Sequence, residues 1–303
     1  MASLICGSLA FDTIMGFEGR FAQQILPEQL HILNVSFLVP QLRRDFGGCA
    51  GNIAYAMRQL GGTPLPMATV GRDGADYVQR LQAQGISTEF VREMQDTYTA
   101  QAMIMTDRDN NQITAFHPGA MMQAHVNRIA ARADIRLGIV SPDGRDAMLQ
   151  HAEQFHAAGI PFVFDPGQGL PMFDGAELAH LVELSSWVTV NDYEGQMLCE
   201  RMGVTTTELS RRVRALVVTR GADGCDLWED GARTHVPGVK PVQVVDPTGC
   251  GDAWRGALLW GLEQDWPMAR CAALGNRLGA LKVAASGPQN YTVDAPALLH
   301  GLA

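Results

Sequence analysis

Four continuous apolar runs, LGIVS (137–141), PFVFD (161–165), WVTVN (187–191) and ALVVT (215–219), constrain the fold of this chain more than any other feature. They are short and β-rich, and the stretches between them, such as GRDAMLQHAEQFHAAG and NDYEGQMLCERMG, carry apolar residues at helical spacing. Strands apolar on both faces and separated by helices form a mostly parallel sheet covered on both sides. The expectation is an α/β, doubly wound fold. Ligands of such sheets sit outside the carboxyl ends of the strands, so Asp165, Asn191 and Thr219, each closing a run, are candidates by position.

The first 120 or so residues follow another pattern. IMGFEGRFAQ, HILNVSFLVPQL, TAQAMIMTD and NQITAFHPG alternate like strands without helices between them, and DRDNNQ reads as a hairpin turn. They predict a small β-sheet lid formed by about 13–45 and about 96–120, on a single domain spanning 1–303. Between the two excursions, GGCAGNIAYAMRQLGG reads as a glycine turn opening a helix that Gly61 closes.

Composition excludes several classes. With 303 residues, 47% of them hydrophobic, the chain can bury a large core, and a net charge of -9 without a Lys/Arg cluster disfavours nucleic acid as a partner. The six cysteines show no CxxC and no zinc spacing, which fits a reduced, cytoplasmic setting. MASLICGSLAFDTIMGF lacks a basic start and meets Asp12, so it is not read as a signal peptide, and no apolar run is long enough to span a membrane.

The stretch VVDPTGCGDAWRGALLWGL sets turn formers and two acids ahead of an apolar helix. A helix start carries unpaired amides and a partial positive charge, so TGCGD would aim the amides of Gly249, Cys250 and Gly251 at one point beside the Asp252 carboxylate. An anion hole beside a carboxylate suits phosphoryl transfer to a hydroxyl. An ordinary loop-helix junction capped by Asp252 is the alternative. P-loop, protein-kinase and dinucleotide-fold motifs are absent from the sequence.

DPTGCGDAWRGALLWGL closely resembles the C-terminal signature of the ribokinase-like, phosphofructokinase-B type superfamily of sugar and nucleoside kinases, and GGCAGNIAYAMRQLGG resembles its N-terminal signature. The resemblance covers nearly the whole chain and implies a ribokinase-like fold using ATP and Mg2+. Asp252 then resembles the general base, and Gly249, Cys250 and Gly251 the anion hole, with Cys250 replacing the usual alanine. A thiol at a helix start is expected to be unusually reactive, unless buried. NDYE matches N-x-x-E, which implies Asn191 by the phosphates and Glu194 holding magnesium through water; the same residues also spell a capping box. TRGADG implies that Thr219, Gly221 and Gly224 border ATP, and Asn276 matches an asparagine near the adenine, with an exposed helix position as its alternative.

On the acceptor side, Ser8, Ala10 and Asp12 are expected to alternate onto one face of the first strand. Asp12 resembles the carboxylate that accepts two adjacent sugar hydroxyls, or else is a turn residue, and Gly48 with Asn52 resembles the pair completing a ribose clamp. Cys49 stands where ribokinases carry a lysine. Met15, Phe17, Phe21, Phe37, Phe116 and His117 offer stacking surfaces suited to a base. This resembles the adenosine-kinase and bacterial nucleoside-kinase branch and implies phosphorylation of a nucleoside 5′-hydroxyl. A ribokinase- or fructokinase-like sugar kinase and an inactive regulator are the alternatives. Asp246 and Thr248, with carbonyls near Gly287, resemble a monovalent-cation site that leaves activation by K+ open. The lid either pairs two subunits as a homodimer or covers the site.

Overall fold

The computed structural model describes residues 2–25, 31–32 and 34–302. Its large sheet has nine strands in the order β13-β12-β11-β10-β9-β8-β1-β4-β5. They are β1 (Ala2–Cys6), β4 (Pro64–Gly71), β5 (Val91–Met94), β8 (Ile135–Val140), β9 (Phe162–Phe164), β10 (Trp187–Asn191), β11 (Ala215–Thr219), β12 (Gly224–Glu229) and β13 (Ala232–Pro237). Neighbouring strands are parallel except for the β11-β12 and β12-β13 pairs. The alternation of strand side chains explains the continuous apolar runs. In β11, Ala215 and Val217 enter the core on one face, whereas Leu216 and Val218 enter the core on the other.

Helices α1 (Cys49–Gln59), α2 (Ala75–Ala83), α7 (Cys250–Glu263) and α8 (Met268–Lys282) cover the first face. Helices α3 (Arg145–Ala157), α4 (Gly175–Leu184), α5 (Asp192–Met202) and α6 (Thr206–Ser210) cover the second. From β1 the chain builds outward to β4 and β5 on one side and returns through β8 to build β9, β10 and β11 on the other. The β1-β8 boundary is therefore the switch point at which such sheets open a crevice.

A second sheet, in the order β3-β2-β6-β7, has four strands: β2 (Ala10–Gly16), β3 (Gln41–Gly47), β6 (Ala100–Thr106) and β7 (Gln112–His117). Two expectations need correction here. The strand expected over 31–42 is absent from described residues 34–40, and β3 starts only at Gln41, directly after Pro40, which has no amide to give a ladder. Positions 26–30 and 33 of the expected excursion lie outside the described residues. Nor do Ser8, Ala10 and Asp12 share one strand: the chain leaves the large sheet after Cys6, and Ala10 and Asp12 belong to β2 of the small one. Asp12 is a mid-strand residue rather than a turn. The reading of the first 120 residues also missed β4, α2 and β5, a strand-helix-strand unit of the large sheet. Among the described residues, no helix is long and apolar enough to cross a membrane.

Candidate active site

The small sheet aligns its polar side chains by register. Asp12 pairs with Asp45 on β3 and with Ala102 on β6, and Ala102 pairs with Phe116 on β7. Directly paired residues share a face, so Asp45, Asp12, Ala102 and Phe116 form one row, with Ala10 on the same face one step closer to the large sheet. Burial, followed by the facing carboxylates of Asp45, Asp252 and Asp246, pushes Asp12 up to about 6. Asp45 is paired with Arg43 at 2.8 Å, whereas Asp12 favours a ligand that brings hydrogen-bond donors or positive charge.

Gly48 joins β3 to α1 with φ +84°, and a side chain on it would strike the backbone of Ser8 and Ala10. That close approach lets the buried Ser8 hydroxyl accept the Cys49 amide at 3.2 Å, capping α1 from outside the helix. α1 then presents Asn52 to α7. The Asn52 Nδ2 donates to Asp252 Oδ2 at 2.8 Å, the Cys49 thiol also hydrogen-bonds Asp252, and burial pushes this carboxyl up against both. Behind Asn52, the Gln289 Nε2 donates to Asn52 Oδ1 at 3.0 Å and to the Tyr77 hydroxyl at 2.9 Å. Tyr77 donates in turn to the Gly47 carbonyl at 2.6 Å. An amide NH2 only donates and a carbonyl only accepts, so this buried relay from β3 to Asp252 has a fixed direction. Asn52, expected on the ribose, bonds Asp252 and Gln289 and keeps its second Nδ2 hydrogen for a further acceptor.

Gly249 precedes α7 with φ +77°, a conformation a side chain would disfavour, and leads into Cys250, Gly251 and Asp252 as the first three helical residues. The Cys250 amide closes a turn on the Pro247 carbonyl at 3.1 Å. Gly249 and Gly251 therefore contribute the amides that helix geometry leaves unpaired at this start. Cys250 is half-buried and lines the cleft described next; burial raises its thiol above the usual range more than the Lys282 ammonium lowers it, which weighs against the expected reactivity.

A cleft of about 340 Å3 opens beside this helix start, lined by Thr219, Gly221, Gly224, Cys250, Gly251 and Asn276, with Val239, Val244 and Val283 among its apolar walls. Asn276 is buried rather than exposed. Its Nδ2 donates to the carbonyls of Val236 and Pro237, both at 3.1 Å, and its Oδ1 accepts from Trp254 Nε1 at 3.0 Å. It shapes the wall with its polar atoms already occupied. A larger hollow of about 700 Å3 between α5, α6 and β11 holds none of the glycine turn or the carboxylate at the α7 start, so chemistry favours the smaller cleft.

Asn191 and Glu194 form a full capping box at the start of α5, with Glu194 N to Asn191 Oδ1 at 2.7 Å and Asn191 N to Glu194 Oε2 at 2.8 Å. The same Oε2 lies 3.9 Å from Nη2 of Arg255, one turn beyond Asp252. Arg255 is buried and grips Asp165 with two nitrogens, Nη2 to Oδ1 at 2.6 Å and Nε against Oδ2. Asp165, a candidate by position alone, thus has a partner that the sequence reading passed over. An arginine inside an otherwise apolar helix face, three residues after the acid, was the available signal. Tyr77 and Gln289 gave no comparable signal. Nor do all the aromatics meet a ligand site: Phe17, Phe21 and Phe37 close on one another with ring centroids 5.0–5.7 Å apart. Met15 and His117 fall on the opposite face from Asp12, leaving Phe116, half exposed, as the aromatic in its row.

Comparison with known proteins agrees with this geometry. A nucleoside kinase of Burkholderia thailandensis solved with inosine is 52% identical, with a TM-score of 0.88 over 98% of this chain and 95% of that one. The same enzyme has also been solved as an ADP-inosine complex. The nucleoside kinase of Methanocaldococcus jannaschii is 27% identical over 293 residues, 95% of this chain and 93% of its own length. Mouse ribokinase is 26% identical over 279 residues, 84% of each chain. The model of the pfkB family carbohydrate kinases matches residues 22–295, and with two glycine-framed helix starts, a carboxylate at the second and a nucleotide-sized cleft beside it, the chain belongs to that family.

Proposed function

We propose that the chain transfers the γ-phosphoryl group of ATP to the 5′-hydroxyl of a ribonucleoside, yielding the nucleoside 5′-monophosphate. The observation that carries this reading is the row running from Asp12 to Phe116, with Asp252 near enough for its charge to be felt at Asp12. Two strand spacings, about 10 Å, separate the carboxylate from the ring, which is the reach from a ribose diol to its base. A free sugar has nothing to place against Phe116. The 52% identity to a kinase solved with inosine supports the same substrate class, with inosine or adenosine the first acceptors to try.

In this reading Asp12 accepts the 2′- and 3′-hydroxyls, with Ser8, Ala10 and Gly48 forming the floor. Asp252 takes the proton of the 5′-hydroxyl as that oxygen attacks, held in aim by Asn52 and Cys49, while the Gly249 and Gly251 amides meet charge on the transferring group. Thr219, Gly221, Gly224 and Asn276 wall the adenine and ribose of ATP, and Asn191 lies toward its phosphates. Glu194 fits a role in holding magnesium through water: its side chain is only partly buried, and its charge is felt at Asp252. Magnesium there would neutralise the phosphates. The residues at Asp246 fit a monovalent cation poorly, because the Lys282 ammonium bonds the Asp246 carbonyl and two backbone amides take its carboxylate.

The outer face of the small sheet exposes Leu42 (66%), Met103 (41%) and Ile113 (42%), which supports a homodimer formed through it. A sugar kinase is the second reading, favoured by the likeness to mouse ribokinase. ADP release over a panel of nucleosides and free sugars separates the two. The expected result is turnover with ribonucleosides and little with ribose or fructose; preference for a sugar would overturn it.

A further inference from the structure

Lys282, the last residue of α8, is fully buried, which is rare for a lysine. Its Nζ donates to the Asp246 carbonyl at 2.7 Å and to the Ala285 carbonyl at 3.3 Å. These carbonyls flank the place where the family resemblance implies a monovalent cation, between Asp246 and the Gly287 loop. The Asp246 carboxylate is committed as well: Oδ1 accepts the Thr248 amide at 2.9 Å and Oδ2 the Gly287 amide at 2.8 Å. Arg43 adds a second cation 3.9 Å from Oδ2. A metal ion entering here would displace amides and compete with two fixed positive charges.

The segment held in this way leads directly into the anion hole. Val245 and Asp246 donate to the Val283 carbonyl at 2.8 and 3.1 Å, so the turn that Lys282 holds is tied to the end of α8 just ahead of the first turn of α7. We propose that the Lys282 ammonium stands in for a monovalent metal cation, fixing the Asp246–Gly249 turn and setting a positive charge behind the anion hole. The chain would then need no K+.

The inference rests on the kinase reading for its rate measurement only, because a stability measurement tests it separately. For the protein as it stands, turnover in potassium and in tetramethylammonium salts of equal ionic strength is expected to agree within about twofold, and the melting temperature likewise should not depend on which salt is used, since an ion that binds the folded state raises it. Lys282→Ala removes the ammonium and opens the carbonyl cage. It is expected to lose about tenfold in turnover, less than deleting an anion-hole donor costs, and to regain both rate and melting temperature in K+ but not in tetramethylammonium. Potassium stimulation of the unaltered protein by more than about fivefold, or a potassium-dependent rise in its melting temperature, would overturn the proposal. If no acceptor is phosphorylated, the kinase reading fails and the melting data still decide for or against Lys282.

Discussion

Asp252 and Asp12 are two partly buried carboxylates in different surroundings, and different tasks are proposed for them. Asp252 accepts hydrogen bonds from Asn52 and Cys49 at a helix start, whereas Asp12 faces other acids. Asp252→Asn is expected to cut turnover by roughly two to four orders of magnitude with nucleoside affinity little changed, measured by steady-state kinetics on the folded variant. For Asp12 the sign follows from its task. An ionised carboxylate accepts both ribose hydroxyls, a protonated one does not, and the group sits up at about 6. The nucleoside KM should therefore rise roughly tenfold per pH unit below that value while the KM for ATP stays flat. A nucleoside KM unchanged down to pH 5 would count against the clamp. At this scale motif spacing, which is local, led the sequence reading to propose Asp252, Asp12 and the glycines, and the structure sets Gly48 and Gly249 at helix starts and Asp252 in the first turn of α7. That reading had no sign of the burial around Cys250, nor of the partners of Asn52, since Asp252 and Gln289 lie 200 and 237 residues away along the chain.

Helix α7 carries both the proposed base and Arg255, whose pairing with Asp165 ties the helix to the end of β9. Breaking a buried pair leaves an uncompensated charge, so Arg255→Met is expected to cost about 3–5 kcal/mol in chemical denaturation. The double variant Arg255→Met, Asp165→Leu should recover much of this loss; no recovery would show that Asp165 is not the partner that matters. Helix α2 acts through Tyr77. Tyr77→Phe leaves the Gly47 carbonyl and one Gln289 hydrogen unpaired, a loss of about 1–3 kcal/mol, and loosens Asp252 through Asn52. Turnover should fall with the KM for ATP unchanged. Strands β8 to β11, with helices α3, α5 and α7, were legible because both-face burial writes continuous apolar runs and helical spacing into the sequence, whereas the antiparallel β12 and β13 were passed over. The unit β4-α2-β5 was not legible, because it lies between the two excursions and was absorbed into the small-sheet pattern.

For the whole molecule, the large-sheet domain supplies the cleft proposed for the nucleotide, and the small sheet supplies the row proposed for the acceptor. Their meeting at the β1-β8 switch point brings Asp12 within electrostatic reach of Asp252. If the apolar outer face of the small sheet joins two copies, light scattering should give twice the 32.8 kDa chain mass, and Met103→Glu should return it to a monomer. A monomeric unaltered protein would leave that face as cover for the site alone. The central claim is transfer to a nucleoside 5′-hydroxyl, and its most direct measurement follows γ-labelled phosphate from ATP into inosine, with 5′-deoxyinosine and ribose run in parallel. Label should appear on the 5′-oxygen of inosine, none on 5′-deoxyinosine, and far less on ribose. Labelling of ribose at a higher kcat/KM than inosine, or label on 5′-deoxyinosine, would contradict the account.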